Sequence, residues 1–227
     1  MSFPVGDAVT IAVIGAGVIG SAVAKSLLLS GYEGRIIATD VKVEKIKELE
    51  KLGVTATDDN KRAANEADIV ILCVKPKDVG EVLKEIRNEI KGKLVISMAA
   101  AVNLGFIKKI VPEAKFVRVM PNLAILVQES FTAYCVDSDV TMGDKDKAEK
   151  LLKTLGRVVE IDERFMDAIT ALSGCAPAYL SVIIEAMTYA GLEVGLTKDL
   201  ALTASAQSMV GTGKLILETQ KNPSEIR

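Results

Sequence analysis

Residues 15–20 read Gly15-Ala16-Gly17-Val18-Ile19-Gly20, a G-x-G-x-x-G pattern, and Asp40 stands twenty residues beyond its last glycine. Glycine triplets arise by chance in alanine- and glycine-rich chains, so context decides. Residues 10–14 (TIAVI) before it have the β-branched character of a strand, and the alanine-rich stretch 18–30 after it has helical period. In a strand-turn-helix of this kind the first glycine makes the tight turn and the second lets backbone N–H groups approach a pyrophosphate. The third permits close helix-strand packing. Gly15, Gly17, Val18, Ile19 and Gly20 are therefore expected to hold a dinucleotide, against the alternative of a purely structural glycine turn. Asp40 suits a ribose 2′-hydroxyl and also a cap for the helix expected to follow. Its carboxylate repels a 2′-phosphate, whereas Lys42 compensates, so NAD(P)H is expected with NADH slightly favoured.

A second group is less specific. Val74-Lys75-Pro76 ends the strand expected at 69–74, where ligands collect in open α/β sheets, and Lys75 is the one charge there. A solvated lysine ahead of a helix-starting proline is the plainer reading. Residues 173–179 (SGCAPAY) form a small-residue turn ahead of a helix whose N–H groups suit a carboxylate. From spacing alone the ordinary capped helix start wins, with Cys175 as a small buried hydrophobe. The chain has no His and no Cys-x-x-C, so no metal site is expected. Cys73, Cys135 and Cys175 are widely spaced in apolar surroundings and suit reduced core thiols in a cytoplasmic protein.

The elements that must position these residues follow from periodicity. After strands at 10–14 and 35–39, residues 43–52 carry apolar positions at amphipathic helical spacing. Alternation continues with strand 69–74, helix 78–90, strand 94–97, short helix 105–110, strand 116–119, strand 132–136, helix 144–155 and strand 157–161. Such apolar strands must be covered on both faces. From 163 onward only helices are expected, with Pro177 in a first turn, a helix over 178–190, and Thr197 as N-cap of the last helix with Asp199 in its first turn. The fold class is α/β: a Rossmann-type, mostly parallel sheet domain at 1–162 followed by a smaller all-helical domain at 163–227. The last helix carries Ala201, Ala204, Ser205, Ser208, Gly211 and Thr212, a small-residue stripe expected to receive a second subunit's helix.

With 227 residues the chain can bury a core without staples. Its 28 basic and 30 acidic residues are interspersed, with a net charge of −2, which argues against a nucleic-acid partner. Two uncharged stretches, 8–24 and 168–184, are expected to be broken as membrane spans by their internal glycines and by Pro177, and the leader MSFPVGD is not basic. A soluble cytoplasmic protein is expected.

Together these residues resemble the pyrroline-5-carboxylate reductases, enzymes of the last step of proline synthesis. The resemblance spans nearly the whole chain. It rests on the glycine fingerprint, Asn60, Ala67-Asp68 leading to Val74-Lys75-Pro76, Ser97 with Ala99-Ala100, residues 118–122 (RVMPN), residues 173–179, Glu185-Ala186 and residues 211–219 (GTGKLILET). It implies that Asn60 touches the adenosine half of the cofactor, that Val74, Lys75, Pro76, Ala99 and Ala100 line the nicotinamide half, and that the helical part forms a homodimer or higher oligomer. Met120, Asn122 and Cys175 would lie on the substrate side, with Lys75 and Ser173 as the candidate catalytic residues and a cyclic imino acid as the small-molecule substrate.

The departures concern the substrate side. The family's usual Met-Pro-Asn-Thr-Pro is Met120-Pro121-Asn122-Leu123-Ala124, its Ser-Gly-Ser-Gly-Pro is Ser173-Gly174-Cys175-Ala176-Pro177, and a usual glycine is Ala101. The family's Pro-Gly-Gly-Thr-Thr turn, which holds the substrate carboxylate, does not occur up to Arg227, so the helical domain is expected to be incomplete relative to the family. The expected reaction is NAD(P)H-dependent reduction of 1-pyrroline-5-carboxylate to proline by hydride transfer to a protonated C=N, work done mainly by positioning. Two rivals stand beside it. One is a hydroxy-acid dehydrogenase, which needs Lys75 or Lys214 as base; the other is a dinucleotide-binding protein without turnover.

Overall fold

The structure, a computed structural model, describes residues 9–42, 44 and 46–227. It divides into two compact units, residues 1–174 and 175–227. The first holds an eight-stranded sheet in the order β3-β2-β1-β4-β5-β6-β7-β8. These are β1 (Ile11–Ile14), β2 (Ile36–Thr39), β3 (Thr55–Thr57), β4 (Ile69–Leu72), β5 (Leu94–Ser97), β6 (Lys115–Met120), β7 (Ser130–Val136) and β8 (Gly156–Glu160). All neighbours are parallel except β6 and β7.

Burial follows the two-residue period of the strands. Ile11 and Val13 enter a core with Leu27, Ile46 and Leu49 on one face, while Ala12 and Ile14 enter another with Leu83, Ile107 and Phe116. The first face is covered by α1 (Val18–Leu29), α2 (Lys47–Glu50) and α6 (Met142–Lys153); the second by α3 (Asn60–Glu66), α4 (Val79–Glu85), α5 (Leu104–Ile110) and α7 (Met166–Ile169). Because β1 pairs β2 on one side and β4 on the other, the strand order reverses beside it. This opens the crevice where α/β sheets bind ligands.

Several expectations are corrected. The helix expected over 43–52 is the single turn α2; Val43 and Lys45 lie outside the described residues, as do residues 1–8 of the leader. Strand β3 and helix α3 were not foreseen. A three-residue Thr-Ala-Thr edge strand is too short for alternation to register, and the polar run after it becomes helical because Asp59 accepts the Arg62 N–H at its start. Helix α4 stops at Glu85 instead of Ile90.

The helix expected over 178–190 begins at Ala176, with Pro177 in its first turn, but no side chain caps it and the residues ahead of it are not a simple turn. A π-helical turn, Thr170–Gly174, follows α7, and α8 (Ala176–Glu193) begins after Cys175, which supplies no side-chain cap. Pro177 is absorbed in the first turn, where its missing N–H removes no bond. The glycine and proline therefore do not break the run: Glu163–Glu193 is long and apolar enough to cross a membrane by length and composition, with mean hydropathy 1.4. Cys175 is exposed rather than buried.

The second unit is a helical hairpin of α8 and α9 (Lys198–Thr219), followed by the turn α10 (Pro223–Ile226). Thr197 caps α9 by accepting the Leu200 N–H. The small-residue stripe divides. Ala201 and Ser205 are buried, Ala201 facing Gly191 so closely that a Cβ there would meet its own at 2.8 Å. Ala204, Ser208, Gly211 and Thr212 stay exposed, as do Leu180, Val182, Ile183, Met187, Leu202 and Leu215. An apolar surface on that scale marks an interaction face.

Ala101, at the family's usual glycine, has φ 59°. A side chain in this left-handed region costs about 1–2 kcal/mol, partly offset by the entropy a glycine loses on folding. Ala101→Gly should thus stabilise the protein by about 0.5–1 kcal/mol, raising Tm by roughly 1–4 °C. An unchanged or lowered midpoint in calorimetry would show that the turn bears no strain.

Candidate functional site

The glycine loop hangs from one carbonyl. Thr39, the last residue of β2, accepts the N–H of Gly15 at 2.9 Å and of Ala16 at 2.7 Å. Ser21 Oγ donates back to the Ala16 carbonyl at 2.7 Å and closes the loop onto α1. Gly15 has φ 90°, and a Cβ on it would lie 2.7 Å from Val74 Cγ1. A Cβ on Gly20 would lie 2.3 Å from the Gly15 carbonyl oxygen. Both glycines are required by the protein's own packing.

Gly17 differs. A Cβ there meets nothing within 4 Å, and Gly17 begins α1 with no side-chain cap. The first N–H groups of a twelve-residue helix are thus left without a side-chain cap. This fits a dinucleotide pyrophosphate: the space a Cβ would fill is what the ligand needs.

The other expected cofactor residues lie along the same edge of the sheet, beyond the carboxyl ends of β2, β3, β4 and β5. Asp40 follows β2; its Oδ1 accepts the Lys42 N–H at 2.9 Å, so it braces its own turn and does not cap α2, which begins at Lys47. Asn60 opens α3 and receives the Thr39 hydroxyl on Oδ1 at 2.6 Å. Val74, Lys75 and Pro76 follow β4, with Lys75 exposed at the entry to a 3-10 turn. Ala99 and Ala100 follow β5, just past Ser97, whose buried Oγ has no partner among the described residues.

At the end of β6 the structure joins Asn122 to Ser173. Asn122 Nδ2 donates to Ser173 O at 3.2 Å and to Ser173 Oγ at 3.3 Å, while its backbone N–H donates to Ser130 Oγ. Its Oδ1 accepts the Ala124 N–H at 3.1 Å. That bond exists because alanine stands at the position of the family's usual proline. Met120 is beside this clasp, its Cε 2.7 Å from where a Cβ on Gly174 would be. The Ser173 hydroxyl, taking the asparagine N–H on oxygen, keeps its own hydrogen to donate. Cys175 belongs to the second unit, where its thiol, hydrogen-bonded to Tyr179, raises the phenol's pKa.

The thiols nearest the sheet are held protonated. Burial pushes Cys73, behind the glycine loop, up to about 12, and burial followed by the Glu163 carboxylate does the same for Cys135. Neither is a nucleophile near neutral pH.

Three residues escaped the sequence reading. Thr39 looks like an ordinary strand end until its complete burial is seen. Glu85 lies on a polar helix face with no sequence signal, yet its Oε2 accepts from Asn60 Nδ2 at 3.0 Å. Arg118 was noted only within a motif. Its buried guanidinium reaches Glu163 at 3.0 Å, and Glu163 also accepts the Leu104 N–H, tying β6 to α5 and to the start of the helical run.

The two kinds of glycine separate by experiment. Gly17→Val should abolish most dinucleotide affinity in a fluorescence titration while leaving Tm near wild type, whereas Gly20→Ala should lower Tm by several degrees. A Gly17→Val protein that binds normally would remove the pyrophosphate from this loop.

Residues 10–101 match a family model described as NADP oxidoreductase, coenzyme F420-dependent, and residues 163–227 match pyrroline-5-carboxylate reductase dimerisation. A pyrroline-5-carboxylate reductase of Methanosarcina acetivorans is 38% identical over 219 residues, covering 94% of this chain and 81% of its own length. One from Corynebacterium melassecola is 37% identical, covering 96% and 83%. The solved structure of a pyrroline-5-carboxylate reductase from Coxiella burnetii superimposes with a TM-score of 0.89 at 32% identity, over 97% of this chain and 84% of that one. That of Plasmodium falciparum pyrroline carboxylate reductase, with NADP bound, gives 0.87 at 28% identity, over 96% and 82%. With this fold, this loop and such likeness along both units, the chain belongs to the pyrroline-5-carboxylate reductase family.

Proposed function

We propose that the protein reduces 1-pyrroline-5-carboxylate to proline with NAD(P)H as reductant, NADH slightly ahead of NADPH. The reading is carried by the likeness to reductases of that name along nearly the whole chain, joined to a glycine loop whose Gly17 is not required by any neighbouring protein atom. The bound dihydronicotinamide supplies a hydride to the C=N carbon of an imine whose nitrogen carries a proton, so that the products are the amine and the oxidised cofactor. Gly15, Gly17, Val18, Ile19 and Gly20 hold the pyrophosphate, and Asp40 and Asn60 hold the adenosine ribose. Val74, Lys75, Pro76, Ala99 and Ala100 line the nicotinamide side.

On the substrate side we place Met120, Asn122 and Cys175. Ser173 is the donor: with Asn122 fixing its lone pair, its O–H is directed to a substrate acceptor. Lys75 contributes a positive charge at the β4 end, where a substrate carboxylate is attracted without a metal ligand set. The compartment is cytoplasmic, a reading supported by three free cysteines. The assembly is a homodimer or higher oligomer through α8 and α9, supported by the exposed apolar surface of the hairpin and the dimerisation family match.

Steady-state turnover tests the reading. Loss of NADH absorbance that depends on the cyclic imine is the expected result; dinucleotide binding without it would leave the silent binder, and turnover of a hydroxy acid the dehydrogenase. In the same assay Asp40→Ser should raise kcat/KM for NADPH relative to NADH. A wild type that already prefers NADPH strongly would instead assign the 2′ position to Lys42.

The assembly has its own test. Ser208→Trp should overpack an interhelical seam, at a cost of about 1–3 kcal/mol or more, and shift sedimentation toward monomer or aggregate. A wild-type protein monomeric at micromolar concentration would refute the α8–α9 interface.

A further inference from the structure

We propose that Glu85 is a positioning residue for the cofactor: it decides which edge of the Asn60 amide faces the adenosine half of the site. The inference rests on the reading that Asn60 touches that half.

Two side chains hold the Asn60 amide from opposite ends. Thr39 Oγ1 lies 2.6 Å from Oδ1, and Glu85 Oε2 lies 3.0 Å from Nδ2. They are not equivalent. A hydroxyl donates or accepts, so Thr39 would tolerate either amide orientation; an ionised carboxylate only accepts, so the atom facing Glu85 must be the NH2 group. Glu85 therefore breaks the two-fold ambiguity of the amide, and Thr39 adapts by donating. One N–H of Nδ2 and one lone pair of Oδ1 remain, at fixed places, for a ribose hydroxyl.

The arrangement reaches further because Thr39 is shared. Its hydroxyl serves Asn60, while its carbonyl carries the N–H groups of Gly15 and Ala16. Thr39 is fully buried and cannot turn to solvent if its partner changes. Glu85 ends α4, the helix that begins beyond Val74-Lys75-Pro76, so the contact joins the helix after β4 to the helix after β3. Glu85 itself is exposed, which makes a dedicated packing role a poor explanation for it.

Positioning and bulk charge predict opposite results for a cation at this place. A lysine would tighten binding of an anionic dinucleotide if only charge mattered. If positioning matters, the ammonium, a pure donor, turns Oδ1 toward itself and Nδ2 toward Thr39, so the ligand meets the wrong edge.

The experiment measures Kd and KM for NADH, kcat at saturating NADH, and Tm for the full chain with Glu85→Ala, Glu85→Lys, Asn60→Ala and the Glu85→Ala/Asn60→Ala double variant. Loss of one orienting hydrogen bond should raise Kd and KM roughly threefold to tenfold in Glu85→Ala, with kcat and Tm near wild type. Glu85→Lys should weaken NADH at least as much despite its charge, and the double variant should bind no worse than Asn60→Ala alone. Tighter binding in Glu85→Lys, or an unchanged Kd in Glu85→Ala while Asn60→Ala binds weakly, would overturn the role of Glu85 and leave Asn60 at the site. Unchanged binding in Asn60→Ala would overturn the underlying reading as well.

Discussion

Two N–H groups of the glycine loop converge on the carbonyl of Thr39, and most of the first unit's functional edge depends on that convergence. It fixes the loop at the end of β2 while Gly15 is pressed against Val74 and Gly20 against the Gly15 carbonyl. The loop therefore cannot move without moving β2 and the end of β4 together. Asp40 and Asn60 are drawn into the same frame, Asp40 by sequence and Asn60 through the Thr39 hydroxyl. A dinucleotide reading the edge from β2 to β5 would meet groups whose spacing is set by one buried threonine. Gly17 is the exception that gives the frame its meaning, since no protein atom demands it.

How much of this was legible depended on which force shaped each segment. Residues such as Ile11, Ile71 and Ile96 sit in strands buried on both faces, so hydrophobic runs revealed them, and β5 was placed residue for residue. The short edge strand β3 and the helix α3 are polar and depend on Asp59 capping and on neighbours, which no periodicity records. The opposite error occurred at α2, where amphipathic spacing around Ile46 and Leu49 promised a helix and tertiary packing used only one turn of it. Of the candidate site, the glycine loop stood out because backbone approach to a phosphate demands particular residue types, and Asp40 because an acidic residue at that spacing suits a ribose hydroxyl. Thr39 and Glu85 were not, because a threonine at a strand end and a glutamate on a helix face look the same whether or not they orient a partner.

The helical run after residue 163 illustrates a different limit. A glycine and a proline close together read as a break, yet a π turn ahead of the first helical turn of α8 accommodates both. The chain thereby delivers Ser173 within a helix and leaves Cys175 exposed where a buried thiol was expected. The apolar surface that qualifies this run as a membrane span by composition is also the surface of a family described by its dimerisation, and the same exposed leucines and valines suit a second copy of the hairpin.

The departures from the family pattern are best understood through hydrogen bonds. Replacing a proline by Ala124 adds an N–H, and that N–H takes the Asn122 carbonyl oxygen. With its oxygen so engaged, Asn122 presents its Nδ2 to Ser173. Asn122 is thus committed to the protein, and the Ser173 hydroxyl, accepting on oxygen, keeps its own hydrogen to donate. Reduction of an imine asks for little more from the protein than such placement. The thiols of Cys73 and Cys135 are held protonated, no histidine is present, and hydride transfer to an already protonated C=N needs no strong base.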